Sequence, residues 1–143
     1  MRCNGTTWVG TFTEVPSTYI YLDRQCPFGH EMSKRKAYKI FLSAEDRIDV
    51  DLEFNKAAGA PPQLVRFAIT YSARTRGRWR EVIRYDNFHG TVHRQRFWRA
   101  GEPERMPSLE RLPFDALLDE FRRDLRENWR RYRALMENRE EST

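Results

Sequence analysis

Residues 84–98 read RYDNFHGTVHRQRFW and gather groups able to do chemistry. His89 and His93 titrate near neutral pH, so one could take a proton while the other gives one. Cleavage of RNA needs that pair of roles, at the 2′-hydroxyl and at the leaving oxygen. Arg84 could hold the phosphate and stabilise the charge that grows on it. Asp86 could orient a histidine, and Tyr85 could stand in for an acid. Ordinary structure explains the same letters: Asp86-Asn87 is a common turn pair, Gly90 suits a turn exit, and His89 could cap that turn.

Two other chemistries draw on the same region. On a helix, histidines four apart share a face, as zinc sites use. Gly90, Thr91 and Val92 between them disfavour a helix. On an extended strand the two rings lie ~13 Å apart, too far for one ion bound at ~2 Å from each nitrogen. No metal is therefore expected here. Binding RNA without cleaving it asks less, since alternate arginines and aromatics offer phosphate contacts and stacking surfaces. Arg78, Arg80, Arg94, Arg96 and Trp98 supply both. Cys26 and His30, in CPFGH, give only two zinc ligands of the four that a structural site wants, and Cys3 could add a third. They read as a loop. No glycine-rich phosphate loop, GxSxG or nucleotide fingerprint occurs, so no cofactor is expected.

The elements that must position these groups follow from pattern. A chain of 143 residues suits one domain. Charged residues make up 33%, which is high, but the 13% of aromatics speaks against disorder. No apolar run approaches the ~20 residues of a membrane span. The start lacks a signal peptide's pattern, and two cysteines make no disulfide framework. A cytoplasmic location and no membrane partner are expected. The net charge of +5 is uneven: residues 66–98 hold eight arginines against Glu81 and Asp86, while 115–143 hold seven against eight acids. A basic middle suits a polyanion such as RNA, or is a solvated face.

Residues 1–36, punctuated by glycine and proline, read as an irregular extension, with one short strand at Thr18–Leu22. Residues 37–139 read as an α+β domain and 140–143 as a tail. Strands are expected at Tyr38–Leu42, Arg47–Phe54, Gln63–Ala73, Arg78–Asp86 and Thr91–Trp98. Val65, Phe67, Ile69 and Tyr71 share one face. Trp79, Ile83 and Tyr85 share another, with Arg78, Arg80 and Arg84 opposite. Apolar residues from Phe114 to Met136 recur every three or four positions and predict one long C-terminal helix, opened by Pro113. The fold class is an antiparallel meander of about five strands with that helix packed across one face.

The strand LVRFAITY, then GRW-EVIRYD, the HG--HR stretch and the closing Asp124–Tyr132 (DLRENWRRY) resemble a small uncharacterised bacterial family. The RYDN and paired-histidine part is similar to TumE-like toxin components of bacterial toxin–antitoxin modules. The resemblance runs from about Leu64 to Met136. It implies a toxin-like protein acting on RNA, with Arg84, Tyr85, Asp86, His89 and His93 as motif positions and an antitoxin as partner. The extension before residue 37 and the proline-containing stretch before the helix depart from the family pattern. They keep open a non-catalytic subunit that binds RNA or protein in a larger complex, and a homodimer is open to either form.

Overall fold

The structure, a computed structural model, describes residues 7–11, 18–24 and 31–143, with side chains from residue 33 onward. Cys3, Cys26 and His30 lie outside the described residues. The elements are β1 (Thr7–Thr11), β2 (Thr18–Arg24), β3 (Glu31–Ser43), β4 (Asp46–Ala57), β5 (Gln63–Thr75), β6 (Arg78–Asp86), β7 (His93–Arg96), β8 (Glu104–Arg105) and α1 (Phe114–Glu141). The strands form one sheet in chain order, each antiparallel to the next. The helix lies on one face, over β5 and β6. The α+β meander with a single C-terminal helix is the class that alternation and helical spacing indicate.

Four expectations change in detail. Residues 1–36 are not simply irregular: they hold β1, β2 and the start of β3. The start of β3 (EMSKRK) has no apolar alternation, so backbone pairing to β2 and β4 makes it a strand. The fifth expected strand shortens to His93–Arg96: Thr91 and Val92 link it to a 3-10 turn at Phe88–Gly90, and a turn closed by Arg99 N–H on Arg96 O takes up Phe97 and Trp98. The helix continues to Glu141, so positions 140 and 141 are its last residues and not a tail. The fourth change concerns which way side chains point.

Strand residues alternate between faces, so one inserted residue reverses every position after it. Two such bulges occur. In β5 the pairing passes from Arg66 to Leu64 and skips Val65. Val65 is 40% exposed, while Phe67, Ile69, Tyr71 and Ala73 turn to the helix. In β6 the pairing passes from Glu81 to Ile83 and skips Val82. Val82 and Ile83 are both buried. Arg78 and Arg80, opposite Thr75 and Ala73, therefore share the helix-side face with Ile83 and Tyr85. Trp79 goes to the open face with Arg84 and takes the Arg47 guanidinium 4.1 Å from its ring centre.

The core lies between sheet and helix. Ile48, Val50, Phe67, Ile69, Tyr71, Ile83 and Tyr85 meet Leu117, Leu118, Phe121 and Leu125. Burying each large apolar side chain contributes about 1.5–3 kcal/mol. Tyr85 stacks on Phe121 with ring centres 4.2 Å apart.

Two carboxylates fix the helix on this apolar bed. Asp46, 2% exposed at the start of β4, accepts from Tyr71 Oη (2.7 Å), Ser43 Oγ (2.6 Å) and Arg133 Nη1 (2.8 Å). Asp124 on α1 accepts from Tyr85 Oη (2.6 Å), Tyr132 Oη (2.9 Å) and Asn128 Nδ2 (2.9 Å). Burial, then hydrogen bonding to the adjacent carboxylate, pushes the phenols of Tyr71 and Tyr85 far above their ordinary range. Hydrogen bonds to Glu137 and Asp46 hold Arg133 firmly charged against the desolvation that opposes it.

Two results are expected. Asp46→Ala strands a partly buried guanidinium and a phenol, and should cost about 3 kcal/mol in urea unfolding. A loss under about 1 kcal/mol would show that the helix does not depend on this carboxylate. In alkali a free tyrosine ionises near pH ~10, while Tyr71 and Tyr85 stay protonated in the folded chain. Their folded values are raised, so the stability they contribute is complete below pH ~10 and is lost as pH climbs toward those values. Tyrosinate absorbance should therefore lag, and finish only with loss of the near-ultraviolet dichroism. A single early transition with the fold intact would contradict this.

Candidate functional site

The register sorts the expected site residues onto two sides of the sheet. Asp86 lies directly across from His93, and Arg84 across from Gln95, so Arg84, Asp86 and His93 share the open face. Tyr85, between Arg84 and Asp86, points the other way, is 2% exposed and donates to Asp124. It is not available as an acid. His89 is exposed on the 3-10 turn at φ 66. That turn bends the chain between the two histidines, so they do not lie along one straight strand. Among the described residues, no three His, Cys, Asp or Glu side chains gather to hold a metal ion.

The turn is built by side chains acting as backbone. Asp86 Oδ1 accepts from Phe88 N at 3.1 Å, so this carboxylate caps the turn. Asn87 Oδ1 accepts from Phe67 N (2.8 Å), and its Nδ2 donates to Val65 O (3.1 Å), which carries the β5–β6 ladder past the end of β6. Gly90, at φ 80, donates its N–H to Asn87 O. His93 is half-buried, with Thr91 Oγ1 3.1 Å from its Nε2.

Most of the expected phosphate-binding cations have carboxylate partners within the chain. Glu104 accepts from Arg94 Nη2 (2.8 Å) and Arg96 Nη2 (2.9 Å). The Arg94 hydrogen bond, then the arginine charges, hold the Glu104 carboxyl below its ordinary value. Burial pulls the Arg94 guanidinium down, and Glu104 outweighs it, so Arg94 sits above its ordinary value. Arg80 pairs with Glu140 of α1 at 2.8 Å. Arg84 is paired with Glu81 and donates to Thr70 Oγ1 at 3.4 Å. Trp98 stacks on Tyr132, ring centres 5.4 Å apart, beside the helix. Arg78 alone of this group is exposed without a carboxylate partner among the described residues.

A groove of ≈ 470 Å³ lies on the open face. Ala37, Ala68, Phe41, Phe88, Thr70 and Arg84 line it, together with the carboxylates of Asp49 and Asp51. One row of paired positions crosses it: Ala37, Asp51, Ala68, Asp86 and His93. Arg66 lies 5.2 Å from the Phe88 ring centre. Ion pairs cross the flanks at Arg35–Asp51, Lys39–Asp49 (3.5 Å), Arg47–Asp49 (3.1 Å) and Arg66–Glu53 (3.8 Å).

Sequence reasoning missed Asp46, Glu104, Asn87 as a ladder extender, and the groove. Asp46 and Glu104 sit in plain polar contexts that carry no signal. Asp124 did carry one, as an acid set between the buried Phe121 and Leu125 of an apolar stripe.

No curated protein and no solved structure matches the chain. A family described as a domain of unknown function, DUF7718, matches residues 32–142, from the second residue of β3 to just past the end of α1. The strands β1 and β2 fall outside that span, and the helix, the sheet from β3 onward and both carboxylate clamps fall within it, so the chain belongs to the DUF7718 family.

Proposed function

We propose that the protein binds single-stranded RNA on the open sheet face without cleaving it. One observation carries this reading: the groove is lined by the rings of Phe41 and Phe88 and by Arg84. Bases stack on aromatic faces whatever their sequence, at about 1–3 kcal/mol per base. Phe88, with Arg66 against it, and Phe41 offer such faces, and Arg84, part-exposed in its pair with Glu81, offers a guanidinium that phosphate would take over from that carboxylate. Bulk charge contributes little here, because carboxylates on the same or the neighbouring strand partner most of the arginines on this face.

A second reading, a metal-independent ribonuclease of toxin type countered by an antitoxin, is favoured by a different observation. Asp86 and His93 are cross-strand neighbours on the open face, with Arg84 beside them and His89 exposed on the intervening turn. There Arg84 would hold phosphate, and the two histidines would divide the proton transfers. Tyr85 has no part in it.

Fluorescence anisotropy with labelled single-stranded RNA separates the readings from each other and from neither. Phe88→Ala and Arg84→Ala should each weaken binding about tenfold, in line with about 1–3 kcal/mol per stacked base. His89→Ala/His93→Ala should bind like wild type, and gels should show intact RNA for both. RNA cut by wild type and spared by the double-histidine variant would replace the first reading by the second. Absence of binding at low salt would end both.

A further inference from the structure

We propose that the tip of the β5–β6 hairpin, carrying Arg74, Arg76 and Arg78, is a finger that grips the phosphodiester backbone of a nucleic acid. The inference rests on reading the protein as a nucleic-acid binder, and it places a contact away from the groove.

Three observations meet at the tip. First, all three arginines are exposed, and none has a carboxylate partner among the described residues. The acids close by are already engaged: Glu45 and Glu137 by Arg133, and Glu140 by Arg80. The positive charge of the tip is thus unanswered among the described residues, unlike that of the sheet.

Second, the arginines fan out. Thr75 pairs with Arg78 across the hairpin and Arg74 with Trp79, so Arg78 leaves on the helix side and Arg74 on the open side. Arg76 sits in the two-residue loop between them. A ribbon with cations on both flanks and at its end can touch both walls of a groove or follow one strand. A two-stranded β-ribbon fits the major groove of duplex DNA, ~12 Å wide.

Third, the turn holds an arginine where the backbone disfavours one. Arg76 has φ 50 and Gly77 has φ 77. A tight hairpin turn of this kind wants positive φ at both central residues, and Asn-Gly is the usual solution. An asparagine would serve the turn better, so the arginine is explained by what its side chain does. Strained residues held in place by their surroundings concentrate at functional positions.

The three are exposed, so changing them leaves the core intact. Anisotropy over a range of salt should be run with single-stranded RNA and with duplex DNA as separate arms. For Arg74→Ala/Arg76→Ala/Arg78→Ala, affinity at low salt should fall at least about tenfold. The slope of log affinity against log salt should shrink by about 2 to 3, roughly one unit for each phosphate that the variant no longer neutralises. The triple lysine variant should retain most of the slope. Arg76→Asn should bind more weakly and melt at a higher temperature, which a merely structural arginine would not do. The arm with the larger loss identifies the strand type. If wild type binds and the alanine variant keeps its slope while Phe88→Ala loses affinity, the finger fails and the groove stands. If wild type binds neither probe, both fail. If polyglutamate of equal charge competes as well as the oligonucleotides, the tip is a general anion contact and the nucleic-acid assignment falls.

Discussion

One extra residue in a strand decides what this molecule presents to solvent. Val82 has no partner on β5, and its insertion reverses the facing of everything after it in β6. Tyr85 consequently lies under the helix, where it reaches Asp124, and Arg84 and Asp86 lie outside. Without the bulge, a strand in strict alternation could keep Arg80 on the helix side only by putting Arg84 there as well. A guanidinium would then replace the phenol that stacks on Phe121. The bulge lets one short strand serve a basic hairpin tip, an apolar core and a polar open face in nine residues.

The second constraint is the cost of burying charge. A carboxylate taken out of water needs donors on every side. Asp46 and Asp124 find them in a tyrosine from the sheet together with partners on the helix. Each ties α1 to the sheet at a fixed point, which an apolar stripe by itself would not do, since hydrophobic burial has no direction. Arg133 shows the consequence: it bridges Asp46, Glu45 and Glu137 and sets the height of the helix over the β3–β4 turn.

Charge pairing also redistributes the meaning of the arginines. In the chain, the basic middle looks like one patch. In the fold, Arg80, Arg84, Arg94 and Arg96 are taken up by Glu140, Glu81 and Glu104, and Glu140 comes from the far end of the sequence. Among the described residues the arginines of the hairpin tip have no carboxylate partner, and an aromatic groove stays open.

The sequence by itself determined the architecture. Strict alternation in Arg47–Phe54 and three-four spacing from Phe114 to Met136 are local signals, and each dictates an element that must bury one face. It also marked Asp86-Asn87 as a turn. Of the N-terminal strands only β2 was legible, as Thr18–Leu22; β3 begins with polar residues that become a strand only by pairing with their neighbours. Where that alternation breaks, at Val65 and Val82, was decided by the tertiary structure alone. A bulge is a property of two strands in register, and neither strand's own letters show where the partner skips. The same holds for the cations: whether an arginine is free depends on where a carboxylate from elsewhere in the chain comes to rest, and only the folded chain brings Glu104 to Arg94, Glu140 to Arg80 and Asp46 to Arg133.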